Sequence, residues 1–295
     1  MKIDVRLHAV PKKGRDFSRT NSEDVCVYTD PAVRPFIAVV ADGHGDVRTE
    51  VNVQTIQLAR YVAHELCDQA GVPVQEVCAN IQRRVAEKFC KIHSGAVATR
   101  IIVEEGRLHV AYLGDCRLYQ WVPDASSWWQ RFVNKLRGRL FPFVQITHDH
   151  HPNHPEEYAR LFPLVYPQVK DPAFSFYPID STDPQQLAAF GGETTSGLNM
   201  RFLAVTRSFG DPDMRPIVIS EPDEKTIAFD SSARHIFALC SDGGAEVVEK
   251  VFRLVRKWKY AGTLDNILLV LKAMTPQEPV DDTTILLIEL TPDEV

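Results

Sequence analysis

Apolar residues recur along this chain with two periods. Short runs rich in β-branched residues and bounded by turn residues fall at 25–29, 35–41, 96–104, 107–113, 118–122, 202–205, 226–229, 236–241 and 283–290, and they read as strands. Glu105-Gly106 joins two of them in a hairpin pattern. Elsewhere the period lengthens. Val51, Leu58, Val62 and Leu66 predict a helix over 51–66. Val74, Val77, Cys78, Ile81, Val85 and Phe89 line one face of a second over 74–92, with Arg83, Arg84, Glu87 and Lys88 opposite. Two more helices are expected near 245–259 and 264–273. Strands outnumber helices, helices come in consecutive pairs and hairpin-like turns join several strands, so antiparallel pairing is expected rather than a βαβ series.

Two stretches break this pattern. Within an insertion at about 123–143, Trp128, Phe132, Val133 and Leu136 stand at helical spacing beside Arg131, Lys135 and Arg137. A basic aromatic helix there either packs on the sheets or meets a partner or an anionic membrane surface through residues 126–140. The second insertion, at 150–200, holds seven prolines between 152 and 184 and is expected to be a packed, irregular flap. His148, His150, His151 and His154 crowd its start beside Pro152 and Pro155, with no cysteine nearby, and read as a solvated loop rather than a zinc site.

Composition narrows the class. A chain of 295 residues with 44% hydrophobic content buries a large core, and a formal net charge of -6 argues against a nucleic-acid partner. The six cysteines form no Cys-x-x-Cys pair and sit mostly in apolar runs, as buried thiols of a reducing compartment do. Lys2, Asp4, Arg6 and His8 interrupt the first residues, so no secretory leader is expected, and no apolar stretch of about 18 residues offers a transmembrane segment. The expectation is a cytoplasmic monomer.

Three strand-like runs meet aspartate. Residues 36–41 lead into Asp42-Gly43-His44-Gly45, residues 236–241 into Asp242-Gly243-Gly244, and Asp281-Asp282 immediately precedes 283–290. One such aspartate alone commonly caps a helix or closes a turn. A carboxylate at a buried strand end is costly unless paired or bound to metal, and repeating that cost calls for a compensating cation. Oxygen-only sets suit Mg or Mn, whereas zinc more often recruits Cys or His.

These clusters also come in a telling order. Arg19-Thr20-Asn21-Ser22-Glu23-Asp24, Asp42-Gly43-His44-Gly45, Tyr112-Leu113-Gly114-Asp115-Cys116-Arg117, Ile146-Thr147-His148-Asp149-His150, Leu203 to Asp211, Ser241-Asp242-Gly243 and Asp281-Asp282-x-Thr284 together resemble the metal-dependent (PPM) serine/threonine protein phosphatases, over about residues 15–290. The resemblance implies an α+β fold, a four-layer α-β-β-α sandwich with two central, mainly antiparallel sheets flanked by helix pairs, as a single domain over 1–295. It implies two Mg or Mn ions, and a weaker third, at one end of the sandwich. Asp42 would bridge two ions. The Gly43 carbonyl and, through water, Glu23 would serve one, and Asp242 and Asp281 the other, with Asp24 in support. Asp115 and Asp242 match the third-ion position, and Arg19 would hold the substrate phosphate.

The implied reaction is hydrolysis of phosphoserine or phosphothreonine in a phosphorylated protein by direct attack of a metal-bridging hydroxide. His44 stands beside Asp42 and titrates near neutrality, which makes it the candidate general acid. Arg207 matches a family element that favours a structural ion pair. Glu246 stands where the family has a second aspartate, Asp46 replaces a small residue and Cys116 a serine. The alternatives are a catalytically weak or dead scaffold that binds phosphoproteins or regulators, and a phosphatase for a small phosphorylated metabolite.

Overall fold

The computed structural model describes residues 1–11, 22–45, 49–89, 94–121, 143–152, 154–165, 175–178, 188–194, 197–202, 205–215, 217–255, 263–276, 279 and 281–293. The first half of the chain runs β1 (Lys2–Val10), β2 (Val25–Tyr28), β3 (Phe36–Gly45), α1 (Thr49–Asp68), α2 (Val74–Lys88), β4 (Ser94–Glu104), β5 (Arg107–Leu113), β6 (Arg117–Trp121) and β7 (Phe143–Gln145). The second runs α3 (Pro155–Val165), β8 (Ser175–Pro178), β9 (Ala188–Thr194), β10 (Gly197–Phe202), β11 (Phe209–Gly210), β12 (Asp223–Ala228), β13 (His235–Cys240), α4 (Asp242–Val255), α5 (Leu264–Met274) and β14 (Thr283–Thr291).

The apolar run of β3 shows how the layers arise. Phe36 to Ala41 are all buried, so neighbours must cover both faces of this strand. Ile37, Val39 and Ala41 pack with Leu58, Val62, Val77 and Ile81 of the first helix pair. Phe36, Ala38 and Val40 turn the other way, onto Phe237, Leu239, Leu286 and Ile288. Those last two strands alternate in turn: Ile236, Ala238, Ile285 and Leu287 pack with Val248, Val251, Ile267 and Leu271 of α4 and α5. One sheet has the order β12-β5-β4-β3-β2 with β11 on β4, and the other has β1-β14-β13-β6-β7. Their named pairings are antiparallel, and the expected four-layer sandwich is present.

The structure departs from the sequence reading in four places. Alternation of charged and apolar residues at 2–8 makes a strand, β1, paired with β14 from Lys2↔Thr291 to Val10↔Thr283. The segment expected to be an irregular flap contains α3 and a small third sheet, β10-β9-β8. Pro155 occupies the first helical position, where its missing N–H leaves no bond unmade. Of the strand expected at 202–205, Phe202 ends β10 and Val205 joins the core between the two large sheets, while 203 and 204 lie outside the described residues. The histidines after β7 are not a solvated loop, since His150 is fully buried and His148 is largely so. Tyr112 of β5 organises both: its ring stacks on His150 with centroids 5.2 Å apart, and its hydroxyl lies 2.9 Å from His148 Nδ1. The proposed basic helix at 126–140, Arg19 and Asp46 lie outside the described residues. The five described cysteines are free, and four are buried. Among the described residues no helix is long and apolar enough to cross a membrane.

Arg207 is the structural ion pair that the sequence suggests. Its Nε and Nη2 donate to Glu157 Oε1 at 2.8 and 2.6 Å, and its Nη1 to Asp223 Oδ1 at 2.7 Å. Thr206 Oγ1 and Arg160 Nη2 donate to the other oxygen of Glu157, at 2.5 and 2.8 Å. Burial raises the Glu157 pKa, yet these donors outweigh it and hold the carboxyl at about 2. The depressed value adds stability above the unfolded carboxyl range near ~4.3, and that contribution is lost as pH falls towards the folded value. Glu157→Gln is expected to cost about 3 kcal/mol at neutral pH, because the buried Arg207 loses the carboxylate charge that its Nε and Nη2 engage and keeps only Asp223. Urea unfolding should show the gap to the parent protein narrowing as the pH falls through the acid range.

Candidate metal centre

Antiparallel pairing gathers distant segments at one end of the sandwich. The start of β2 meets the end of β3 (Val25↔Ala41), and the end of β3 meets the start of β4 (Gly45↔Ser94). In the facing sheet the end of β13 meets the starts of β6 and β14 (Cys240↔Arg117, Cys240↔Ile285). Glu23, Asp24, Asp42, Asp115, Asp242, Asp281 and Asp282 all lie at or beside these strand ends.

β3 does not stop at Ala41. Pairing with β4 carries it through the polar residues, with Asp42↔Val97 and His44↔Gly95. Period-two alternation then places Asp42 and His44 on the face of Phe36, Ala38 and Val40, so both sit at the end of the core between the sheets. Gly43 turns towards α1, where a Cβ would lie 2.8 Å from Thr55 Cγ2 and 3.1 Å from the Thr55 carbonyl oxygen. Only glycine lets the helix approach this closely.

The electrostatics are those of crowded, buried like charges. Burial first, then the charges of Asp24, Asp242, Asp115 and Asp281, push Asp42 well above the ordinary carboxylate range. Burial, Asp115 and Asp281 raise Asp242 to about 7, against a bond from the Gly243 N–H. Asp24 is likewise raised to about 7, by burial and the charges of Asp282 and Asp242, despite the Ser241 hydroxyl. At roughly 1.4 kcal/mol per pKa unit, ionising Asp24 or Asp242 here costs several kcal/mol.

The supporting bonds hold the carboxylates in place without neutralising them. Ser241 Oγ donates to Asp24 Oδ2 at 2.7 Å and accepts from the Thr284 N–H at 3.1 Å. Asp24 Oδ1 is buried and makes no hydrogen bond. The Glu23 N–H donates to Asp282 Oδ2 at 2.6 Å, the Asp282 N–H to Asp281 Oδ1 at 2.9 Å, and the Gly243 N–H to Asp242 Oδ1 at 2.6 Å. An orphaned carboxylate oxygen among mutually repelling aspartates is a donor set that fits divalent cations with a preference for oxygen. Asp42, Asp242, Asp281, Asp24, Asp115, Glu23 and the Gly43 carbonyl are the groups that can hold them.

His44 has a partner that the sequence reading did not single out. Its Nε2 lies 2.9 Å from Asp211 Oδ2. Asp211 also accepts a short bond from the Ser208 hydroxyl, and it adopts a left-handed backbone with φ 47°, which aspartate tolerates better than most residues. Burial lowers the pKa of His44, but the charge of Asp211, the bond to it, and the charges of Asp115 and Glu23 raise it on balance. A Cβ on Gly95, opposite His44 on β4, would overlap both His44 Nε2 and Asp211 Oδ2. The available signal was position, since Asp211 ends one of the ordered clusters.

Two third-ion expectations take a specific form. Asp115 lies 3.6 Å from His151 Nε2; burial raises its pKa, while His151, His44 and Arg117 lower it further. Glu246 stands two-thirds exposed on α4, 3.2 Å from Lys250 Nζ, turned to solvent rather than into the centre.

Similarity to known proteins agrees with this geometry. Residues 39–268 match the family described as protein phosphatase 2C. The probable protein phosphatase 2C 32 of Oryza sativa subsp. japonica is 24% identical over 249 residues, 81% of this chain and 52% of that protein. The chain thus spans about half the length of this relative. A serine-threonine phosphatase 2C from Toxoplasma gondii superposes with a TM-score of 0.63 at 14% identity, over 98% of this chain and 95% of that one. A sex determining protein of C. elegans gives 0.61 at 18% identity, over 99% and 66%. A bacterial serine phosphatase gives 0.60 at 15%, over 99% and 100%. With the family pattern spanning most of its length and the acidic strand ends at its centre, the chain belongs to the protein phosphatase 2C family.

Proposed function

We propose that this protein hydrolyses phosphoserine and phosphothreonine in protein substrates, using Mg or Mn. The observation that carries the reading is the convergence of buried carboxylates at one end of the inter-sheet core, on a chain of this family. Asp42, Asp242, Asp281, Glu23 and the Gly43 carbonyl would hold two ions, with Asp24 beside them. When bound, the ions supply Lewis acidity towards the phosphoryl oxygens and a nucleophilic water near neutral pH. Arg19 is assigned to the substrate phosphate from its place in the family pattern.

His44 then handles the proton. Asp211 engages Nε2 and favours the imidazolium, which leaves Nδ1–H to protonate the departing serine or threonine oxygen. Asp211 is therefore a positioning residue, since it acts through His44. A third ion is expected to bind weakly, because Asp115 already faces His151 and Glu246 faces solvent. The scaffold alternative draws no support from the centre, where every first-line carboxylate is present.

Purified protein with Mn is expected to hydrolyse a phosphothreonine peptide, and Asp42→Ala or Asp242→Ala should reduce this to background. Unchanged turnover in either variant would sink the assignment. His44→Asn should slow the peptide reaction by roughly 10²-fold or more, yet barely affect p-nitrophenyl phosphate, whose leaving group needs no acid. In chelator, Asp42→Asn should melt at or above the parent protein because one repelling charge is gone. Adding Mn at about 100 times its Kd should stabilise the parent by ~2.7 kcal/mol and leave the variant nearly unmoved, as read by scanning calorimetry.

A further inference from the structure

We propose that His148, His154 and Glu156 form a second metal site, suited to zinc and separate from the carboxylate centre, with Asp223 beside it. The candidate ligand atoms of His148, His154 and Glu156 lie within 4.8 Å of one another, and those of His148, His150 and Asp223 do the same. His148 belongs to both groups, and its Nε2 lies 3.2 Å from Asp223 Oδ2 and 3.9 Å from Glu156 Oε2. Two ligands on a tetrahedral zinc with bonds of about 2.1 Å stand roughly 3.4 Å apart, close to the separation of His148 Nε2 from Glu156 Oε2.

The ring nitrogens support the assignment. His148 Nε2 and His154 Nδ1 are buried and make no hydrogen bond. The other nitrogen of His148 faces the Tyr112 hydroxyl at 2.9 Å, an arrangement that fixes the ring and leaves Nε2 able to present its lone pair. His150 is different. Its Nδ1 accepts the Gly114 N–H at 3.0 Å, so the proton of the neutral ring sits on Nε2, which faces Asp223 Oδ2 at 3.2 Å. It has no lone pair for an ion, and it orients the carboxylate instead.

His148 and His154 stack with centroids 4.1 Å apart and planes within 9°. Parallel rings cannot both aim a lone pair at one ion, so uptake requires His154, partly exposed at the start of α3, to turn about its Cβ–Cγ bond. Glu156 is exposed and opens the route from solvent. Two imidazoles and one carboxylate, with the remaining position left to water, make a mixed set that zinc favours over magnesium, the reverse of the oxygen-only centre. A bound ion would pin the start of α3 to His148, which Tyr112 of β5 holds against the six-stranded sheet.

The test uses the full chain with its carboxylate centre saturated by excess Mg. Zinc titration calorimetry is expected to show one further equivalent bound, weakened at least about tenfold in both His148→Gln and His154→Gln. Cobalt should give visible d–d bands in the parent that these variants lose, while their Mg-dependent melting shift stays intact. If His148→Gln does not fold, His154→Gln and Glu156→Gln decide the matter. Absence of zinc binding above the Mg-saturated background, or equal affinity in the folded variants, would overturn the proposal. Because the readout is zinc binding with Mg present, it is independent of whether the protein is a phosphatase.

Discussion

Like-charge repulsion at the end of a dry core is the constraint on which this structure depends. Hydrophobic pairing of the two sheets is strongest when both inner faces are apolar from end to end. Here the inner face of β3 finishes in Asp42 and His44, and the facing sheet delivers Asp242 and Asp281 to meet them. Without a compensating cation these groups favour protonation or separation, as the raised pKa values of Asp42, Asp24 and Asp242 express. The chain keeps a locally unfavourable arrangement because the remaining core holds the strand ends in place, and the resulting negative potential suits a divalent ion.

Small residues make that arrangement sterically feasible. Gly43 admits α1, Gly95 leaves room for the His44–Asp211 pair, and at Gly243 a Cβ would collide with the Asp282 carbonyl oxygen. Each lies next to, or opposite, a charged member of the centre, so backbone approaches backbone where side chains must converge. Ser241 adds a different kind of support. Its hydroxyl joins Asp24, on the β2 side, to Thr284 at the start of β14, linking the two sheets where their charges meet.

Much of the architecture was legible in sequence because its strands are long and continuously apolar. A run buried on both faces, such as residues 36–41, announces a central strand, and the α2 stripe announces a helix laid on a sheet. The centre was legible through the order of its acidic clusters. What escaped had physical reasons. β1 is an edge strand with only two of its nine residues buried, so its charges looked like a surface segment. Proline at 155 reads as a breaker unless one knows that a helix begins there. Asp211 reaches His44 across 167 positions of sequence, a proximity set by β11 pairing with β4 and invisible to local pattern. The histidine run misled because burial was contributed by Tyr112 and Asp223, from strands far along the chain.

Those histidines belong to the segment that ties the rest together. Three consecutive residues face three different parts of the molecule. Asp149 accepts from Arg117 Nε and Nη2 at 2.9 and 2.6 Å, which fixes the start of β6. His150 accepts the Gly114 N–H and faces Asp223, which joins β5 to β12. His151 faces Asp115 at the rim of the carboxylate centre. Successive side chains of an extended segment point in alternating directions, so a displacement that serves one contact disturbs its neighbours. The placement of α3 and the surroundings of Asp115 are therefore mechanically linked, because the backbone that positions His151 also carries His148 and leads into α3. An ion or partner that fixes the base of the insertion acts on the rim of the centre through two or three residues of backbone, without a longer relay.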